Sequence, residues 1–167
     1  IAGEPDAYVW PSFDENTASG LCYTSGTTGD PKGVLYSHRS CVLHAMTIAM
    51  PDAVGLSAND VVCPIVPMFH VNAWGLPFAT PMVGAKLVLP GARLDGASLH
   101  ALFEAEGVSF TAGVPTVWLG LLDWMDDHAH EFTSLKRVVI GGSAVPAIMI
   151  SRFHNKGVEV RPAWGMA

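Results

Sequence analysis

VSFTAGVPTVWLGLLDWMDD, residues 108–127, reads as a strand running through a glycine and a proline into a helix. Val108–Ala112 is short, apolar and bounded by a turn signal, as a buried strand is. Pro115 stands where a helix tolerates proline, in its first turn, so Pro115–Asp127 is predicted helical. Just upstream, Ala97–Glu106 is amphipathic, with Leu99, Leu102 and Phe103 on one side. Gly107 follows it as a C-terminal glycine cap. Downstream, Lys136–Gly142 is a strand ending in a glycine turn, Pro146–Lys156 a helix closed by Gly157, and Val158–Arg161 a further strand. Lys86–Leu89 is a strand ended by Pro90-Gly91. Strands therefore alternate with helices from about residue 85, which predicts an α/β fold with a mainly parallel sheet and flanking helices.

Further toward the N-terminus, Val61–Ala85 holds no Asp, Glu, Lys or Arg. A run of this length is long enough to cross a bilayer. Four prolines (Pro64, Pro67, Pro77, Pro81) argue against that, because each break leaves backbone groups that lipid cannot satisfy. The segment is read instead as a strand (Val61–Val66), a loop and a proline-broken helix (Asn72–Val83) lining an apolar cavity. Before it, Gly20–Ser25 reads as a buried strand and Gly26–Gly33 as a loop. Ser37–Met50 reads as a helix with Ser37 as N-cap and Val42, Ala45, Met46 and Ala49 as its apolar positions.

Composition narrows the class. Charged residues are 14% and hydrophobic ones 50% of 167 residues, which excludes an intrinsically disordered chain. A net charge of −6 leaves no basic stripe for phosphate backbones, so no nucleic-acid partner is expected. So little charged surface is expected of a piece of something larger. Three cysteines (Cys22, Cys41, Cys63) without a C-x-x-C suit a reducing cytosol rather than a disulfide framework. Cys22, beside Tyr23, reads as a small buried hydrophobe. The opening residues read as mid-protein linker, with no basic-then-apolar leader.

Chemistry concentrates in Tyr23-Thr24-Ser25-Gly26-Thr27-Thr28-Gly29-Asp30-Pro31-Lys32-Gly33. Glycines let backbone N–H groups approach an anion, hydroxyls donate more hydrogen bonds, and Lys32 supplies a cation. Together these make a polyphosphate cradle; a plain solvated hairpin is the alternative. The Walker pattern is excluded, since Pro31 precedes Lys32 and Gly33 follows it. His38, Cys41 and His44 are spaced three apart, but no fourth metal ligand stands near them. Asp126, Asp127, His128 and His130 read as a solvated helix end.

The eleven-residue loop resembles the phosphate loop of the adenylate-forming (AMP-binding) enzymes: acyl-CoA synthetases, luciferases and peptide-synthetase adenylation domains. PMFHVNAWG (Pro67–Gly75), GVPTVW (Gly113–Trp118), GGSAVP (Gly141–Pro146) and WGMA (Trp164–Ala167) are similar to further segments of that family. The FHVNAWGLP run is most like medium- or long-chain fatty-acyl-CoA synthetases. The resemblance implies part of the large N-terminal domain, with fatty acid, ATP and coenzyme A as substrates and Mg2+ as the metal. It implies ATP contacts at Thr24, Ser25, Gly26, Thr27, Thr28, Gly29, Lys32, Gly142, Ser143, Ala144, Trp164 and Gly165, with Thr24 also near the metal. It implies a substrate-side role for His70 as the catalytic residue, and acyl contacts at His70, Val71, Trp74, Gly113 and Val114. Trp74 is open between tunnel wall and core packing, and Trp164 between adenine stacking and a frayed end.

The family has Thr-Glu where this chain has Ala167, and its C-terminal domain with a catalytic lysine has no counterpart here. The 167 residues alone are therefore expected to be inactive. Two rivals stand beside the fatty-acid reading: activation of an aryl, amino or short-chain acid, and a non-catalytic nucleotide- or lipid-binding module. A cytoplasmic location is expected; peripheral membrane contact and oligomerisation are left open.

Overall fold

The computed structural model describes residue 3, residues 7–24 and residues 29–165. Five parallel strands form the central sheet: β3 (Val61–Pro64), β4 (Lys86–Leu87), β5 (Phe110–Gly113), β6 (Arg137–Ile140) and β7 (Glu159–Pro162), in spatial order β4-β3-β5-β6-β7. The chain steps outward from β3 to β4, then jumps back to β5 and proceeds the other way. Strand order thus reverses beside β3 and β5, the kind of place where open α/β sheets leave a crevice at their carboxyl ends.

Side-chain alternation along these strands makes two cores. Val62, Phe110, Ala112 and Val139 point to one face, packed with Ala45, Ile48, Leu76 and Ala79. Cys63, Ile65, Val138 and Ile140 point to the other, packed with Leu99, Phe103, Trp118, Leu121, Leu122 and Phe153. The first face is covered by α1 (His38–Ala49) and α3 (Leu76–Met82), the second by α4 (Gly96–Glu106), α5 (Pro115–Asp127) and α6 (Ala147–Asn155). Gly107 adopts φ 67° and donates its N–H to the Phe103 carbonyl, so the expected cap forms. Pro115 sits at the start of α5 as predicted.

The N-terminal third departs from the sequence reading. Gly20–Ser25 is expected as a buried strand, yet β1 (Ala18–Thr24) pairs antiparallel with β2 (Lys32–Ser37) in a separate two-stranded ribbon. Only Cys22 of β1 is buried, at 4% exposure. β2 has no counterpart in the sequence reading, because six residues between a glycine loop and a helix cap show little period of their own. Ser37 does cap α1, accepting from the Ser40 N–H in a reciprocal capping box. The buried positions of α1 are Ala45 and Ile48. Val42 and Met46, expected in the core, are exposed, because α1 packs against α3 through the small Ala45 and Ala79.

The uncharged segment Val61–Ala85 forms β3, a loop, a short turn labelled α2 (Val71–Trp74) and α3. Among the described residues, no helix is long and apolar enough to cross a membrane. The predicted helix Asn72–Val83 is split in two by Gly75, at φ 73°.

Candidate functional site

A cavity of about 470 Å³ opens at the carboxyl ends of β5, β6 and β7. Its deep wall is apolar: Ile48 from α1, Val54, Leu76 from α3, and Phe110, Ala112 and Val139 from the sheet. Its rim is small or polar: Tyr23 and Thr24 from β1, His70, Gly141 and Gly142 after β6, and Ala163, Trp164 and Gly165 after β7. One end can take an alkyl chain, and the other presents glycine backbone, hydroxyl groups and an aromatic ring.

Gly141 and Gly142 shape that rim for reasons a side chain would spoil. A Cβ on Gly141 would stand 2.8 Å from the Ala163 carbonyl oxygen and 3.1 Å from the Trp74 ring. Gly142 holds φ 84°, a left-handed conformation that favours glycine. The cradle is therefore bare backbone, open to a planar or anionic ligand group.

Val71, Asn72, Ala73 and Trp74 all have φ between 48° and 55°. These four non-glycine residues make one left-handed turn, a conformation costing roughly 1–2 kcal/mol per residue. The turn follows His70 directly and ends at Gly75. His70 and Trp74 both line the cavity, and Ala73, between them in sequence, is fully buried. The Asn72 carboxamide oxygen accepts from the Cys22 thiol at 3.5 Å, tying the turn to β1.

Gly75 ends the turn at φ 73°, and a Cβ there would run into Nδ1 of His44. Gly75→Ala therefore meets both left-handed strain and a clash, and should lower unfolding free energy by about 1–3 kcal/mol in a urea titration. An unchanged midpoint would mean that His44 and the turn rearrange freely.

The remaining sequence-predicted residues fall as follows. Thr24, His70, Val71, Trp74, Gly142, Trp164 and Gly165 line the cavity together. Lys32 begins β2 opposite Thr24, whose hydroxyl donates to the Lys32 carbonyl at 3.5 Å. Gly29 lies in the same connection, at φ 103°. Gly113, Val114, Ser143 and Ala144 are outside the lining. A Cβ on Gly113 would stand 2.6 Å from the Trp118 ring, so this glycine serves close packing. Ser25, Gly26, Thr27 and Thr28 lie outside the described residues.

His44, Ile48, Val54, Phe110 and Val139 line the cavity without having been singled out for it. Only the sheet alternation of Phe110 and Val139 could have signalled them, and it does not say which face carries the crevice. Desolvation by partial burial lowers the His44 pKa from its usual value. Among the described residues, no group of three or more His, Cys, Asp or Glu side chains could hold a metal ion, so His38, Cys41 and His44 form no such centre.

The sequence profile of the AMP-binding enzymes matches residues 3–167. The chain is 64% identical over 162 residues to a medium-chain-fatty-acid–CoA ligase of Ectopseudomonas oleovorans, covering 96% of this chain and 30% of that protein. It is 58% identical over 152 residues to a long-chain-fatty-acid–CoA ligase of Thermus thermophilus, covering 91% and 28%. The chain thus spans under a third of the length of these curated relatives. Its fold superposes with TM-score 0.81 on the N-terminal domain of FACL13 from Mycobacterium tuberculosis, at 24% identity, covering 93% of this chain and 39% of that one.

Proposed function

The chain belongs to the AMP-binding enzyme family, and from that premise we propose that the protein carrying it activates a fatty acid with ATP and passes the acyl group to coenzyme A. The observation that carries this reading is the two-ended cavity, apolar in its depth and glycine-edged at its rim. The names of the two relatives support a fatty acid as the substrate class. An acid carboxylate oxygen attacks the α-phosphorus of ATP, and the bond to the β-phosphate oxygen breaks, releasing pyrophosphate. The coenzyme A thiol then attacks the acyl carbon, loses its proton, and displaces AMP.

On this reading, the chain's own residues act chiefly by position and charge. The bare backbone at Gly141–Gly142 and the Trp164 ring would hold the adenosine end, and Thr24 and Lys32 the phosphates. Ser25, Gly26, Thr27, Thr28 and Gly29 complete the proposed phosphate loop, with Ser143 and Ala144 beside the adenosine. His70 orients the carboxylate by hydrogen bonding and is no general base, since the carboxylate is already the nucleophile. Val71 and Trp74 contact the acyl chain, and Gly113 and Val114 complete the proposed acyl-binding set. A magnesium ion would neutralise phosphate charge; the described residues offer it only the Thr24 hydroxyl, so no step is assigned through it. Residues 1–167 belong in this reading to the AMP-binding domain of a cytoplasmic protein.

Pyrophosphate exchange on the full-length protein tests the proposal. Label should pass from pyrophosphate into ATP only when a fatty acid is present. Nucleotide binding without exchange would make the protein a binding module, and exchange with aryl or amino acids alone would replace the substrate class.

Trp74 carries a related expectation. It is half-buried, lines the cavity and packs partly against the α1/α3 core. Trp74→Ala should lengthen the room for an alkyl chain, so longer acids gain about fourfold in kcat/KM per extra methylene, or about 0.8 kcal/mol each. A stability loss of about 3–5 kcal/mol with an unchanged chain-length profile would reduce Trp74 to core packing.

A further inference from the structure

Two arginines on neighbouring strands converge on one short piece of main chain. Arg161 Nη1 donates to the carbonyls of Ala53 (2.9 Å) and Val54 (3.0 Å). Arg137 Nη1 donates to the carbonyls of Val54 (3.0 Å) and Gly55 (2.9 Å). Three consecutive carbonyls thus accept four charge-assisted hydrogen bonds, which are the stronger kind. Each guanidinium is itself anchored, Arg137 Nη2 to Asp60 Oδ1 at 2.7 Å and Arg161 Nε to Glu159 Oε1 at 2.7 Å. Gly55, at φ 67°, gives the turn its shape.

The piece so held is part of the cavity. Val54, whose carbonyl takes a bond from both arginines, lines the apolar wall. The Arg137 guanidinium also lies 5.5 Å from the ring centroid of Phe110, another lining residue. Arg161 belongs to β7, which leads directly into Ala163, Trp164 and Gly165 on the polar rim. One side chain therefore fastens an apolar lining residue of the cavity to the strand that leads into its polar rim.

We propose that Arg161, seconded by Arg137, is a positioning residue for acyl specificity: it fixes Val54 against the cavity and so sets the fit of the alkyl chain. This rests on the acid-activation reading above. Connecting loops are ordinarily the adaptable part of a site. Here a loop wall is pinned to the sheet, so it discriminates lengths that a yielding wall would accept alike. Arg161 touches no reacting atom in this scheme; its effect passes through Val54.

The test measures KM for a graded series of straight-chain acids, and separately KM for ATP, in the full-length protein. Arg161→Met should raise acid KM about tenfold and narrow the spread between chain lengths, with ATP KM within about twofold of wild type. Arg161→Lys should recover part of the spread, since one ammonium reaches fewer carbonyls than a fork. Acid and ATP KM rising together, or an unchanged acid profile, would overturn the proposal. Should Arg161→Met fail to fold, Val54→Ala carries the test, because it leaves both arginines and all three carbonyls in place. A shifted chain-length profile then supports the assignment and an unchanged one overturns it. Wild-type protein without acid-dependent exchange would sink the underlying reading as well, whereas active wild type with unmoved variants sinks this inference alone.

Discussion

Asp60→Ala should destabilise the folded protein by about 3–5 kcal/mol, the usual cost of leaving a buried charge without its partner. Asp60 precedes β3 and is 7% exposed. Its Oδ1 accepts from Arg137 Nη2 at 2.7 Å and from the Ser109 hydroxyl at 2.9 Å. Its Oδ2 accepts from the Ser57 N–H at 2.9 Å and the Ser57 hydroxyl at 3.3 Å. Removing the carboxylate leaves the Arg137 guanidinium, only 17% exposed, with the Val54 and Gly55 carbonyls but without its counter-charge. The double variant Asp60→Ala/Arg137→Met should be less destabilised than the sum of the single changes, because the stranded charge goes too. Additive effects, or a loss below about 1 kcal/mol for Asp60→Ala, would show that water compensates the pair.

The same carboxylate has a pH signature. Burial pushes its pKa up, but the hydrogen bonds from Arg137, Ser57 and Ser109 and the Arg137 charge outweigh that, and the net direction is down. A lowered folded-state pKa means that the stabilisation is complete above the unfolded value of about 3.9 and is lost as pH falls through the lower folded value. Wild type should therefore lose stability on acidification below about pH 4 more steeply than Asp60→Ala does. Parallel acid limbs in chemical denaturation would remove Asp60 from that account.

Lys32→Ala should lower kcat/KM for ATP by roughly 10- to 100-fold, the scale of a charge-assisted phosphate contact worth about 1.5–3 kcal/mol. Lys32 is exposed at the first position of β2, and its backbone is paired with Thr24 on the cavity rim. Its side chain carries none of the core, so the melting temperature should move little. KM for the acid should stay near wild type, which separates a phosphate contact from general damage to the cavity. Unchanged ATP kinetics would leave the glycine-rich segment as a turn.

Much of this molecule is legible without coordinates. From Lys86 onward, each predicted strand and helix exists within a few residues of its expected bounds, and Pro115–Asp127 coincides with α5. The reason is local: proline in a first turn, Gly107 and Gly157 at helix ends, and short apolar runs state their conformation through backbone sterics and periodicity. The glycine-rich segment stands out for a similar reason: its glycines and Pro31 mark the connection between β1 and β2.

What required the assembled fold is everything that depends on which surfaces meet. Val42 and Met46 have the right spacing for a core, but α1 turns Ala45 and Ile48 inward because small residues let it approach α3. No local preference favours four consecutive left-handed residues at Val71–Trp74; tertiary packing and the tie of Asn72 to Cys22 hold them there. Val54 and Arg161 are separated by more than a hundred residues, and a guanidinium reaching a carbonyl leaves no periodic trace in either segment. Local sterics wrote the elements into the sequence, whereas the cavity arose from non-local contacts that no single stretch of chain encodes.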